Sequence, residues 1–101
     1  TRQAVELLKS ALSVNPKYCV AELWFGQVYE SQSNSQESCK YFGRFREHCP
    51  ERADGWQREG ICLAQVGEKD GAGKAFDACV ERAQTDDHKD LCKSLKENLL
   101  R

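Results

Sequence analysis

The sequence predicts an all-α fold of about six helices, and three observations lead to that prediction. Apolar side chains recur at the i, i+3, i+4 and i+7 spacing of an amphipathic helix. An offset of 34 positions places small residues on small ones and large apolar residues on large apolar ones. The segments between the periodic stretches are short and polar, so they leave no room for a sheet.

The first two predicted helices cover residues 4–14 and 18–31. Asn15-Pro16 ends the first, because proline disfavours helical geometry in the residue before it. The polar run 31–34 ends the second. The apolar positions of these two helices are Ala4, Leu7, Leu8, Ala11, Leu12, Val20, Leu23, Trp24, Phe25, Val28 and Tyr29.

Each of the remaining predicted helices has a boundary signal. Asn34 and Glu37 are spaced for a capping box at the start of the third helix. Gly67 is placed to end the fourth, and Asp70 is expected to cap the fifth. Thr85 is expected to cap the sixth. The predicted ranges are 35–48, 52–66, 71–83 and 87–100.

The same offset recurs at several places along the chain. Pro16 falls on Pro50, and Gly26 falls on Gly60. The two glycines are expected to let neighbouring helices approach closely, because a glycine has no Cβ. The other matches are Ala4, Ser38 and Ala72; Leu8, Phe42 and Phe76; Ala11, Phe45 and Cys79; and Tyr29 and Leu63.

At these positions the chain resembles the tetratricopeptide repeat (TPR) family, whose repeat is a helix pair of about 34 residues. Residues 53–86 match the family pattern best, and 19–52 match it with Glu22 in the place of the family's tryptophan. The residues at family positions are Trp56, Gly60, Leu63, Gly67, Ala72, Phe76 and Cys79 in the better repeat, and Phe25, Gly26, Tyr29, Phe42 and Pro50 in the other.

The resemblance implies antiparallel helix pairs stacked as a right-handed α-solenoid, in a single domain over 1–101. Residues 1–18 resemble the second helix of a partial repeat, and 87–101 resemble a capping helix. The start on half a repeat and the absence of methionine indicate a fragment of a longer repeat protein.

In the family, the first helix of each repeat lines a concave groove that binds a peptide or helix of a partner protein. Leu23, Gln27 and Gln57 stand where the family's carboxylate clamp has lysine and asparagine, which disfavours an adaptor for chaperone tails. The expected function is therefore a protein interaction scaffold for an apolar or amidic segment. The groove residues that the resemblance implies are Val20, Leu23, Trp24, Gln27, Glu30, Asp54, Gln57, Arg58, Ile61, Gln65, Leu91 and Leu95.

Two other classes of repeat protein stay open. The truncated first helix and the leucine-bearing last helix could stack head to tail, which would make the chain a homo-oligomeric self-association module. A cysteine-rich Sel1-like repeat protein is the other alternative, although the longer, glycine-richer period of those repeats is not seen here.

The six cysteines permit three disulfides. In antiparallel neighbours the start of one helix lies near the end of the following one, which predicts the pairs Cys19–Cys49 and Cys39–Cys62. Cys79 is expected to face the closing helix that carries Cys92, which predicts the pair Cys79–Cys92. Disulfides imply an oxidising location, periplasmic or extracellular, with cell-envelope, secretion or pilus-type assembly as the setting. The alternative is six buried free thiols in a reducing cytoplasm.

Composition and motifs exclude several other functions. The net charge of −1 and the even spread of charge disfavour nucleic-acid binding, and no apolar run is long enough to insert in a membrane. Phosphate-loop and nucleophile-elbow motifs are absent, so neither an enzyme nor a cofactor is expected. A thiol enzyme has only Cys39 beside Lys40 as a candidate. No metal site is expected, since there is no C-x-x-C, although His88 and Cys92 are four residues apart.

Overall fold

The computed structural model describes residues 2, 3, 6, 9 and 19–101. The regular structure of these residues is helical, and no strand occurs among them, which confirms the all-α class. Of the first predicted helix, only residues 6 and 9 fall in the described part, and both are helical. The apolar stripe of that helix and its end at Asn15-Pro16 lie outside the described residues.

Five helices have defined bounds within 19–101, against about six predicted for the whole chain. The first predicted helix accounts for the difference, because most of its residues lie outside the described part of the chain. The other bounds agree with the predictions to within about two residues. The helices are α1 (Cys19–Ser31), α2 (Ser35–His48), α3 (Ala53–Gln65), α4 (Lys69–Arg82) and α5 (Asp86–Leu99).

Three predicted helix boundaries are confirmed by backbone and side-chain geometry. The Asn34 side chain accepts a hydrogen bond from the backbone N–H of Glu37 at 3.3 Å, which caps α2. The Thr85 hydroxyl accepts one from the backbone N–H of His88 at 3.1 Å, which caps α5. Gly67 has a φ of +83° just after α3, as expected of a C-terminal glycine.

The predicted cap of α4 is wrong. The helix begins at Lys69, so Asp70 lies inside its first turn, and Glu68 occupies the cap position without a side-chain cap hydrogen bond. An acidic side chain is favourable both at the cap and in the first turn, where it meets the positive end of the helix dipole. The presence of an acidic residue therefore does not distinguish the cap position from the first turn.

The first of two compact units, 1–49, contains α1 and α2. A disulfide joins the first residue of α1 to the residue that follows α2, so the two helices run antiparallel. The unit ends close to the predicted boundary between the two repeats. Among the residues of this unit that the structure describes, the buried hydrophobic ones are Cys19, Ala21, Phe25, Phe42 and Phe45.

The second unit, 50–101, contains α3, α4 and α5. Helices α3 and α4 form a pair joined by a short turn, and α5 packs chiefly against α4. The core of this unit contains two cysteines that were predicted to form a disulfide. Its buried hydrophobic residues are Ala53, Ala72, Ala75, Phe76, Cys79, Ala83 and Cys92.

The same glycine–phenylalanine contact occurs within each unit. A Cβ added to Gly26 would overlap the Phe42 ring, and one added to Gly60 would lie 2.6 Å from Cε1 of Phe76. Both residues of the second contact lie 34 positions after their counterparts in the first. The expected close approach of helices at these glycines is confirmed. In the part of the chain that the structure describes, no helix combines the length and the apolar character needed to cross a membrane.

Candidate functional site

The predicted groove residues of the first unit lie along one side of α1. Trp24 is 50% exposed, and Gln27 and Glu30 are also exposed. Val20 and Leu23 are partly buried. Their spacing of three or four residues places them on neighbouring turns of the helix. None of them is among the buried residues of α1, which are Cys19, Ala21, Glu22, Phe25 and Gly26.

The predicted groove residues of α3 are less accessible. Gln65 is exposed, while Asp54 and Gln57 are partly buried and already have partners inside the second unit. Asp54 forms an ion pair with Arg52 at 2.9 Å, and the Gln57 Oε1 lies 2.7 Å from Nε2 of His88. The two remaining predicted residues on this helix, both partly buried, are Arg58 and Ile61.

Helix α5 exposes apolar side chains. Leu91 is 45% exposed and Leu99 is 43% exposed, while Leu95 between them is partly buried. Cys92 is the only buried residue of this helix. The three leucines are spaced four residues apart, so they form one stripe beside Cys92 that remains accessible at Leu91 and Leu99.

A hydrogen bond to a buried glutamate in the first unit was not predicted from the sequence. Glu22 is 1% exposed, and its Oε1 lies 2.5 Å from Nδ1 of His48. A buried carboxyl group requires such a partner, because a polar group taken out of water without a hydrogen bond is costly. The departure from the family's tryptophan at position 22 was the signal that could have located this pair.

The equivalent positions of the second unit carry a different pair. Trp56 and Arg82 lie 34 positions after Glu22 and His48, and the Arg82 guanidinium sits 4.8 Å from the Trp56 ring centroid. The Trp56 Nε1–H and the Arg82 Nε–H both donate to the Pro50 carbonyl at 2.7 Å. Each unit therefore ties the start of its first helix to the end of its second helix by a polar pair at the same two positions.

An aromatic cluster fills the other end of the first helix pair. The Tyr41 ring stacks on Phe25 at 4.7 Å and on Tyr29 at 5.7 Å between ring centroids. The Arg44 guanidinium lies 5.5 Å from the Tyr41 ring. Burial raises the pKa of the Tyr41 hydroxyl above its ordinary value, and the neighbouring Tyr29 adds to the rise.

Two of the predicted disulfides have the predicted partners. Cys19 and Cys49 are bonded with their Cα atoms 6.1 Å apart, and Cys79 and Cys92 are bonded with theirs 6.2 Å apart. Both separations fall in the normal range for a disulfide. Cys39 and Cys62 are disulfide-bonded as well. All six cysteines lie in the described part of the chain, and none of them is a free thiol.

A histidine lies beside the second of these disulfides. The Nε2 of His88 is 3.8 Å from Sγ of Cys79, and Cys92 follows His88 by one helical turn. The ligand atoms of Cys79, His88 and Cys92 all lie within 4.8 Å of one another. The sequence indicated the pairing of His88 with Cys92, but the third member comes from another helix and depended on how α4 and α5 pack.

The chain was also compared with known proteins. No protein-family model and no curated protein sequence matches it.

Proposed function

We propose that this chain is a TPR-like interaction scaffold whose helix pairs stack as a right-handed α-solenoid. In this proposal it binds a peptide or helix of a partner protein in a concave groove lined by the first helix of each pair, and it has no catalytic role. Shape and hydrophobic complementarity on a rigid surface supply the binding energy.

The recurrence of one contact in both units is the observation that carries the proposal. The Gly26–Phe42 and Gly60–Phe76 contacts are separated by 34 positions and place the same residue types on the same helices of a pair. A fixed helical repeat of this length is typical of stacked helix-pair proteins. The polar pairs at 22 and 48 and at 56 and 82 recur with the same period.

The α1 surface indicates the kind of ligand. Trp24 is half-exposed beside Leu23 and Gln27, so this part of the surface is apolar with an amide donor and acceptor. An exposed tryptophan at an interface commonly contributes a large share of the binding energy. We therefore expect a segment rich in apolar and amide side chains, either extended or helical.

The disulfides support a proposal about the compartment in which the chain acts. Structural disulfides persist in oxidising compartments and are rare in the cytosol. Because none of the six cysteines is free, the chain fits a periplasmic or extracellular scaffold, with cell-envelope or secretion and pilus-type assembly as the setting.

Selection of peptides from a displayed library on the oxidised chain tests the groove. Selected peptides should quench or shift the fluorescence of Trp24. The double substitution Leu23→Ala and Trp24→Ala should weaken their binding by at least about thirtyfold, as expected when an interface loses about 2 kcal/mol. Val66→Ala is the matched control, since Val66 is 73% exposed but lies after α3. Unchanged peptide binding by the double variant would move the site away from α1.

Self-association is the second candidate, and the exposed leucines of α5 favour it. Leu91 and Leu99 give this helix an accessible apolar surface on which a second copy could dock. Light scattering over a range of concentrations separates the two functions. A strict monomer at high concentration would eliminate self-association, whereas a dimer that Leu91→Ala plus Leu99→Ala converts to monomer would support it.

A further inference from the structure

The cluster of Cys79, His88 and Cys92 has the composition of a soft metal site. Its ligand atoms, two sulfurs and one imidazole nitrogen, lie within 4.8 Å of one another. Thiolate and imidazole are the groups that zinc prefers in proteins, and three protein ligands leave one position for water. Among the residues that the structure describes, no other group of three such side chains is gathered so closely.

The two helices hold these groups before any metal binds. Cys79 and Cys92 are fully buried, and His88 is positioned one turn before Cys92 on the same helix face. The backbone N–H of His88 is held by the Thr85 cap at the start of α5. The site is therefore built on rigid elements, as a metal site requires.

Gln57 provides a polar neighbour for the histidine. Its Oε1 lies 2.7 Å from Nε2 of His88, which is the same nitrogen that lies 3.8 Å from Sγ of Cys79. In the cross-linked chain the Nε2–H of His88 therefore donates to this amide oxygen, and zinc can bind Nε2 only when this hydrogen bond is broken. Gln57 is thus a competitor for the histidine nitrogen that faces the two sulfurs.

The oxidation state decides whether the cluster can act as a site. In the disulfide, Cys79 and Cys92 share a covalent bond and carry no thiolate. A small dithiol can give two electrons and two protons to this bond, which breaks to leave two thiols while the reductant becomes a cyclic disulfide. A zinc ion then displaces the two thiol protons and forms two Zn–S bonds. The proton of His88 Nε2 moves to Nδ1 through water, the hydrogen bond to Gln57 breaks, and the freed Nε2 lone pair binds the zinc.

We propose that the reduced protein binds one zinc ion through Cys79, His88 and Cys92, and that formation of the Cys79–Cys92 disulfide excludes the metal. The zinc-bound form is the one available in a reducing compartment, and the cross-linked form is the one available where disulfides persist. This inference does not depend on the proposed groove.

The other disulfide in the first unit provides an internal control. His48 directly precedes Cys49, so the sequence around it also places a histidine beside a disulfide. However, His48 is not gathered with Cys19 and Cys49 into a group of three potential ligands, unlike His88 with Cys79 and Cys92. Reduction of Cys19–Cys49 should therefore create two thiols without a metal site.

Titration of the full chain with zinc alone tests the proposal. The chain is reduced with a dithiol, freed of the reductant without air, and titrated in competition with a chromophoric chelator. We expect about one equivalent of zinc to bind to the reduced chain and none to the oxidised chain. Cobalt(II) should give thiolate charge-transfer absorption in the reduced chain, which reports sulfur ligation directly.

Substitutions assign the ligands. Cys79→Ser with Cys92→Ser should abolish binding, and His88→Ala should weaken it at least about tenfold. Gln57→Ala should not weaken it, because no hydrogen bond to Gln57 then competes for Nε2. Cys19→Ser with Cys49→Ser should leave the affinity unchanged. Circular dichroism of each reduced variant checks that its helices are retained. Absence of zinc binding by the reduced, helical wild type would overturn the proposal, as would wild-type affinity in His88→Ala.

Discussion

At the scale of single residues, a missing Cβ sets the distance between the two helices of each pair. Gly26 and Gly60 lie so close to the rings of Phe42 and Phe76 that a Cβ on either glycine would overlap the ring. Gly43 differs from both, since a Cβ there would meet nothing within 4 Å. Gly26 and Gly60 therefore leave no room for a side chain, whereas Gly43, which is also helical, leaves room for one.

We therefore expect Gly26→Ala and Gly60→Ala to destabilise the fold, each by about 1–3 kcal/mol, because the buried phenylalanine ring must move. Gly43→Ala should instead stabilise it by about 0.5–1 kcal/mol, because alanine loses less backbone entropy in a helix. Urea unfolding of the three variants measures the free energies. A stabilising effect at Gly26 or Gly60 would contradict the close contact.

A second prediction at this scale concerns Tyr41 and alkaline pH. Because burial raises the pKa of Tyr41 in the folded chain, the folded state holds the phenolic proton more tightly than the unfolded state does. The contribution of Tyr41 to stability is then complete below the unfolded pKa of about 10 and is lost as pH rises through the higher folded value. Tyr41→Phe should remove this loss.

Unfolding free energies of wild type and Tyr41→Phe, compared between about pH 9 and 11, check this expectation. The difference in stability between the two chains should change with pH in favour of the variant. Parallel curves for the two chains over this range would show that the Tyr41 proton is not held by the fold.

Some properties of single residues could be predicted from the sequence, and others could not. The packing role of Gly26 and Gly60 followed from their shared offset, since a small residue at a recurring position has one common explanation. The burial of Glu22 did not follow, because a glutamate on a helix is usually exposed. The hydrogen bond to His48, which is 26 residues away, explains how that buried polar group is accommodated.

At the scale of helices, the turns after α1 and α3 have the same geometry. After α1, the N–H of Asn34 bonds to the Tyr29 carbonyl at 2.9 Å, and Ser33 has a φ of +57°. After α3, the N–H of Glu68 bonds to the Leu63 carbonyl at 2.9 Å. Both are Schellman motifs, and the residues in the left-handed region, Ser33 and Gly67, are 34 positions apart.

The two turns predict opposite effects for reciprocal substitutions. Ser33→Gly should stabilise the chain by up to about 1 kcal/mol, because glycine avoids the strain of a positive φ. Gly67→Ser should destabilise it by about 1 kcal/mol for the same reason. Thermal unfolding of the two variants beside Ser31→Gly, a change at the helix end with ordinary φ, separates this effect from loss of helix propensity. A lower melting temperature for Ser33→Gly would count against it.

The helix boundaries differ in how well the sequence could predict them. Gly67 and Thr85 were assigned correctly, because a positive φ and a side-chain cap each favour few residue types. Asp70 was assigned wrongly as a cap, because an acid is equally favourable one position inside the helix. A boundary that depends only on charge is thus less determined than one that depends on backbone conformation.

At the scale of the whole molecule, the all-α class could be predicted from the periodicity, whereas contacts that involve three helices depend on how those helices pack. The pairing of Cys19 with Cys49 could be predicted, because both lie at helix ends that any antiparallel pair brings together. The cluster around His88 could not, since it joins Gln57 of α3, Cys79 of α4 and His88 of α5. Three-helix juxtapositions require the inclination of each helix, which the sequence pattern does not specify.

The cross-link of the first unit can be removed with little change in packing. Cys19 and Cys49 correspond, 34 positions later, to Ala53 and Ala83, which are both buried at 7% exposure in the second unit. Alanine is therefore known to fit these two positions of a helix pair. The double variant Cys19→Ala and Cys49→Ala isolates the effect of the covalent bond.

Chain entropy predicts that this variant loses about 3.5 kcal/mol of unfolding free energy, because the bond closes a loop of 30 residues. Its helix content at low denaturant should equal that of wild type. A dithiol should then lower the stability of wild type by about 3.5 kcal/mol more than it lowers that of the variant, since the variant has already lost this bond. Equal effects of reductant on both chains would mean that the cross-link restricts a denatured chain that is already compact, and the entropic account of this bond would be wrong.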